Sequence, residues 1–351
     1  MHIEYFPIFI ASIATFFAIV ILRPFAVSVG LTDNPSERKL HVGSVPLIGG
    51  IAMFFGMIIS ILLLSYDLNN LNYFLLVSII LVSVGVLDDH RNLSVRFRLL
   101  FQFLVAIIIV SADGLSIISL GNVFGNGEIF LNGWAYFITV FAIIAGINAV
   151  NMADGIDGLA AGNSLITFTA VLILSIGSLF QQALWVSILF CSVLPVFLIH
   201  NLCLGVSKNK RIFMGDAGSM FIGMGIVWVL LVLSQGESQI LNPVTALWLF
   251  SAPIIDMIAS VIRRIIAGKS PFQPDTLHTH HILLDLGIKK NSVLLMVLLF
   301  SLLMAVFGIL GEIFGVPEWV MFYAFIIIFA IYMFLYRLAI IKINNNAKLS
   351  N

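Results

Sequence analysis

The 17 Lys and Arg residues of this 351-residue chain fall only in alternate gaps between apolar runs, and that sidedness restricts its fold more than any other feature. The gaps that hold them are about 23–46, 88–98, 204–212 and 263–291, with the tail after Tyr336. The intervening gaps hold Asp67, Asp113, Glu128, Glu237, Glu312 and Glu318 but no basic residue. Cations that stay on one side of successive apolar runs orient a membrane protein with that side in the cytoplasm. The same gaps, with the acidic 151–159 turn on that side, carry the Asp and His clusters, so the sequence places one polar, chemically equipped surface at the cytoplasmic face.

Composition agrees. Charged residues make up 10% and hydrophobic ones 61%, against roughly 25% charged in soluble domains. The mean hydropathy is +1.12, so lipid is the solvent for most of the chain. A net charge of zero leaves no global field for nucleic acid. Apolar segments of about 20 residues span a bilayer. Eleven are expected, at about 5–22, 47–65, 72–87, 99–117, 133–150, 160–180, 183–203, 213–234, 243–262, 292–311 and 318–338. The expected fold is an all-α integral membrane protein with a periplasmic amino end and a cytoplasmic carboxyl end. It is read as one domain over residues 1–351, with a cytoplasmic substrate-binding arm at 263–291. The first run has Glu4 before it, Arg23 after it and no small-residue cleavage site, so it reads as a retained helix. Residues 113–132, rich in Gly and Asn, suggest a small hairpin or surface loop. Cys191 and Cys203 would lie ~18 Å apart along a helix, too far for a disulfide.

Several constellations carry chemistry. Asp88 and Asp89 close the third run ahead of Arg91, Arg96 and Arg98. Adjacent carboxylates at a membrane surface are costly unless they meet a cation, share a proton or hydrate. Asn148, Asn151, Asp154 and Asp157 recur every three residues, with Gly155 and Gly158 among them. Their amide and carboxylate oxygens suit a hard cation and the hydroxyls of a nucleotide or sugar. Phe213-Met-Gly-Asp216-Ala-Gly-Ser opens the eighth run, and Asp216 there either caps the helix or binds a metal that in turn holds phosphate. The arm runs from Arg263-Arg264 to His278, His280 and His281, a set suited to a phosphorylated donor. The first basic gap offers Arg38, Lys39 and His41 as anion contacts. Asp256 lies inside the ninth run, where an ionisable group is expensive.

In this order, DNPSERKLHVGSVPLIGG, LDDHRNLSVRFR, NAVNMADGIDGLAAG, FMGDAGS, NPVTALW and the RR…GKSPFQPD…HTHH arm resemble the polyprenyl-phosphate N-acetylhexosamine-1-phosphate transferase family. The resemblance covers about residues 20–335. It implies transfer of a sugar 1-phosphate, foremost that of N-acetylglucosamine, from a UDP-N-acetylhexosamine to undecaprenyl phosphate. The products would be UMP and a lipid-linked diphosphate sugar, at the first membrane step of a cell-surface glycan such as O-antigen. It further implies a bacterial inner-membrane location, Mg2+ with Mn2+ as a substitute, and a homodimer as an open possibility. By the resemblance Asp216 and Asn151 are the metal residues, with Asn151 also close to the diphosphate. Asp88 and Asp89 meet the lipid phosphate and Phe213 flanks the uracil. Asn148, Asp154 and Asp157 line the nucleotide side, while Lys39, Arg264 and the three arm histidines hold the diphosphate and sugar. Thr276 stands where the family's arm usually has Arg. Two other classes fit less well. A transporter or flippase would carry ionisable groups near the bilayer midplane of several helices, and a CDP-alcohol phosphatidyltransferase would need its Asp-Gly motif on two neighbouring helices.

Overall fold

The structure is a computed structural model that describes residues 5–33, 43–63, 71–176, 181–236, 239–271 and 277–349. Each apolar run becomes helical. The order is α1 (Tyr5–Val29), α2 (Gly49–Leu62), α3 (Leu71–Arg91), α4 (Val95–Ser111), α5 (Ala135–Ala153), α6 (Leu159–Ser175) and α7 (Gln181–Asn201). There follow α8 (Gly215–Ser234), α9 (Pro243–Leu249), α10 (Ser251–Ile266), α11 (Thr279–Asp285), α12 (Lys290–Ile313) and α13 (Glu318–Leu349). Among the described residues, seven of these helices are long and apolar enough to cross a bilayer, and eight if the bent pair α9–α10 is one span. Helices α2 and α6 are apolar but shorter.

The helices outrun the apolar segments, so many cations sit on helix ends rather than in loops. Arg23 lies inside α1, Arg96 and Arg98 in the first turn of α4, and Arg263 and Arg264 in the last turn of α10. The ninth run breaks: α9 and α10 meet at 89°. Pro253 is the cause, because its missing N–H leaves the Leu249 carbonyl without a helical donor. Thr167 Oγ1 supplies the bond instead, at 2.9 Å.

Helix α8 is the axis of the bundle, with α2, α3, α5, α6 and α7 packed around it. Every residue of α8 is buried except Asp216 in its first turn. Glycines let neighbouring backbones reach that turn. A Cβ on Gly50 would fall 2.1 Å from the Gly218 nitrogen, and one on Gly85 would fall 2.3 Å from the Ala217 Cα. The only sheet among the described residues, β1 (Thr32–Asp33) paired with β2 (Val45–Pro46), leads into α2.

At the opposite end of α8 the acids do structural work. Ser119 and Phe130 pair across the expected hairpin, which Gln235 holds through the Ile118 and Ser119 N–H groups. Glu318 accepts from the Asn122 N–H at 3.0 Å. Glu312 accepts from the Asn242 backbone and side chain and from Thr245 at the start of α9.

Candidate active site

The strap before α8 gathers three distant segments. Phe213 donates its N–H to Pro46 O at 2.9 Å. The free N–H groups at the start of α2 return the contact, Gly49 to Phe213 O and Gly50 to Met214 O. Helix starts leave such donors unsatisfied, and here the strap before α8 supplies the acceptors. The start of α8 is met in the same way by a side chain: Asp89 accepts from the Asp216 N–H at 2.8 Å and the Ala217 N–H at 3.4 Å. Gly215, at φ 71°, is the only residue type that fits between, because a Cβ would lie 2.4 Å from Asp89 Oδ2.

Asp88 is 4% exposed. It accepts from the Leu93 N–H at 2.7 Å and from Arg98 Nη1 at 2.9 Å. The same Nη1 lies 3.6 Å from Asp216 Oδ2, so Arg98 bridges the ends of α3 and α8. The other oxygen, Asp216 Oδ1, accepts from Asn151 Nδ2 at 2.5 Å. Asn151 also donates to Ser219 Oγ at 2.9 Å. Both Asn151 contacts run through its amide nitrogen. In this arrangement Asn151 orients the Asp216 carboxylate, and the direct metal contact expected of it would require its amide to turn over.

Asp157 faces cations: Lys290 Nζ at 2.6 Å and Arg211 Nη1 at 3.5 Å. Asp154 caps the end of α5. Solvent reaches its side chain, yet the surrounding protein and the nearby Asp216 and Asp157 carboxylates push its carboxyl up to about 7. A carboxyl raised in the folded state stabilises the fold below its unfolded value of about 4, and that contribution is lost as pH rises through about 7. In EDTA-treated protein the thermal midpoint therefore falls across this window. Asp154→Asn flattens the fall when the two melting curves are compared, and an identical slope in the variant would remove this role.

The arm docks on the same turn. Asp256 does not stand alone in the membrane: its carboxylate accepts from His278 Nδ1 at 2.8 Å, the Thr279 N–H at 2.9 Å, Thr279 Oγ1 and Tyr332 Oη. His278 thereby helps to hold the arm against α10. His280 is 3% exposed and packs on Gly155, where an added Cβ would lie 1.9 Å from its Nε2. Burial, then the neighbouring His281, pushes its imidazole down to about 3. His280 thus sits against the Gly155 turn as a neutral imidazole. His281, half-buried with its ring 4.3 Å from that of His280, remains at the surface of the arm. Arg264 is also turned inward, at 7% exposure, with Nη1 donating to Pro271 O at 2.6 Å. Through this bond it braces the arm. Asp256→Asn loosens this latch, and the expected result is a rise of about tenfold in KM for the nucleotide donor, read by initial-rate kinetics.

Asn148 is committed to a helix contact, donating to Gln102 Oε1 at 2.7 Å. Phe213 is half-buried in the strap. Lys39, Arg38, His41 and Thr276 lie outside the described residues. Sequence reasoning missed Gln102, Lys290, Asn201 and Tyr332. Each is a lone residue on a helix or loop whose partner is distant in the chain, so spacing carries no trace of them.

Asp88, Asp89, Asp154 and Asp216 meet one guanidinium within ion-pair distance among the described residues, that of Arg98. This surplus of hard oxygen donors fits a divalent cation. Among the described residues no three His, Cys, Asp or Glu side chains form a ready cage. Mg2+ asks for less: it takes one or two carboxylates and completes its shell with phosphate and water.

Fold and site together define a helical integral membrane protein whose distant acids converge at one end of its bundle. Residues 71–234 match the glycosyl transferase family 4 description. The chain is 39% identical over 335 residues to the undecaprenyl-phosphate alpha-N-acetylglucosaminyl 1-phosphate transferase of Yersinia pestis, covering 95% of this chain and 90% of that protein. Against the protein of the same name from Haemophilus influenzae the identity is 40% over 329 residues, covering 93% and 92%. For Escherichia coli K12 it is 38% over 312 residues, covering 88% and 84%. The chain belongs to the polyprenyl-phosphate N-acetylhexosamine-1-phosphate transferase family that its motifs resemble.

Proposed function

We propose that the protein moves N-acetylglucosamine 1-phosphate from UDP-N-acetylglucosamine to undecaprenyl phosphate, leaving undecaprenyl-diphosphate-N-acetylglucosamine and UMP. The observation that carries this reading is the near full-length similarity to transferases named for that reaction. The reaction sits at the cytoplasmic face of a bacterial inner membrane, with eleven spans and the amino end outside. The collection of Arg and Lys at the same end as the acid cluster supports that orientation.

Phosphoryl transfer asks the protein mainly for positioning and charge neutralisation. An oxygen of the lipid phosphate attacks the β-phosphorus of the donor; the bond from that phosphorus to the bridging oxygen breaks, and the electron pair leaves with UMP. A phosphate monoester loses its second proton near pH ~6, so the acceptor is a dianion without help. Asp88 and Asp89 match this economy, since one is paired with Arg98 and the other caps α8, and neither is free to act as a base. Asp216, with Asp154 nearby, would hold Mg2+, which supplies counter-charge to the converging phosphates. Arg98 steadies Asp216. Lys290 and Arg211, gathered at Asp157, set a cationic edge toward the donor phosphates.

The test is purified protein with undecaprenyl phosphate and a panel of UDP-sugars, scored for lipid product. UDP-N-acetylglucosamine is expected to lead, and EDTA to abolish product until Mg2+ is restored. Labelled phosphosugar bound to the protein without acceptor would replace direct displacement by a covalent route.

A further inference from the structure

A second charged cavity lies apart from the acid cluster, between α1 and the loop after α7. Its volume is about 310 Å3, and its lining includes Arg23 of α1, His200 of α7 and Lys210 of the loop. No carboxylate meets Arg23 or Lys210 among the described residues. His200 is 6% exposed, and its Nδ1–H donates to Val196 O at 3.0 Å. The α1 wall is apolar, with Phe16, Ile19 and Val20, and Gly205, Val206 and Ser207 of the loop close the other side; Phe16 is 45% and Val20 51% exposed. Cations at the end of a lipid-facing apolar stripe form a site for an anion that carries hydrocarbon.

We propose that this cavity binds the phosphodiester headgroup of an anionic phospholipid, with its acyl chains along the Phe16 and Val20 face of α1. The chemistry recognised is a phosphate monoanion, and the apolar wall selects the lipid-borne form over free phosphate. The site is built into the supports of the acid cluster. Asn201, next to His200, accepts the Gly158 N–H at 2.7 Å and donates to Ile212 O at 2.9 Å. Arg211, next to Lys210, reaches Asp157. A headgroup between Arg23 and Lys210 therefore ties α1 to the loop after α7, which starts at the Asn201 strut and carries the Arg211 strut.

The test is native mass spectrometry of the full-length protein titrated with phosphatidylglycerol, phosphatidylcholine or glycerol 1-phosphate. Phosphatidylglycerol is expected to fill one tight site. The double variant Arg23→Gln/Lys210→Gln weakens that site about thirtyfold, at about fivefold per cation. Arg23→Lys/Lys210→Arg keeps it, and each single glutamine variant gives about fivefold, so an unfolded double variant leaves the test intact. Equal affinity of wild type and the glutamine variants for phosphatidylglycerol would overturn the proposal. So would equal binding of phosphatidylcholine, or displacement of the lipid by equimolar glycerol 1-phosphate.

Discussion

Asp216→Asn lowers turnover by about a thousandfold while the protein remains folded in the membrane. Asparagine keeps the shape of the side chain and can still accept the Asn151 N–H, so the start of α8 retains its contacts. What is lost is the negative charge of the one α8 residue that is not buried. That charge lies 3.6 Å from Arg98 and is aimed by Asn151. It is the group best placed to hold a cation against the donor diphosphate. Product formation from labelled donor measures the loss, and size-exclusion chromatography of the solubilised variant reports the fold. Wild-type turnover in Asp216→Asn would remove the metal assignment.

Arg98→Ala has the second large effect, and it acts on the fold as well as on the chemistry. Asp88 is nearly inaccessible and has two partners, the Leu93 N–H and Arg98. Removing Arg98, itself 26% exposed, leaves the buried Asp88 carboxylate without its cation, at a cost below the roughly 3–5 kcal/mol of a fully buried pair. It also sets the Asp88 and Asp216 carboxylates near each other with no cation between them. A marked drop in the melting midpoint is expected together with loss of turnover. Arg98→Ala/Asp88→Asn should recover the midpoint but not the turnover, because the neutral amide needs no counter-ion and Asp216 still lacks its guanidinium. A double variant as unstable as Arg98→Ala alone would show that the pair does not hold α3 to the α8 turn.

Much of this was legible because lipid makes a chain advertise its topology. Every apolar run is helical, and the sidedness of Lys and Arg gathered Asp88, Asn151 and Asp216 at one end before any contact was known. The hairpin near 119–130 followed from Gly and Asn placement. What stayed hidden depends on single distant partners. The bend at Phe250 needs both Pro253 and the Thr167 hydroxyl that replaces its lost hydrogen bond. Asp256 read as a suspect ionisable group, yet His278, Thr279 and Tyr332 turn it into the anchor of the arm. His280 and Arg264 read as anion contacts, yet tertiary packing buries both. Burial of a His or Arg is set by what folds over it, and no local pattern records that.

The reaction itself is best tested by following the β-phosphorus. With donor labelled at that atom, undecaprenyl phosphate and Mg2+, the label is expected to enter the lipid fraction, with one UMP released for each labelled lipid. Label leaving as UDP would mean that the sugar alone is transferred, and donor or lipid movement with the diphosphate intact would mean transport; either result contradicts the account.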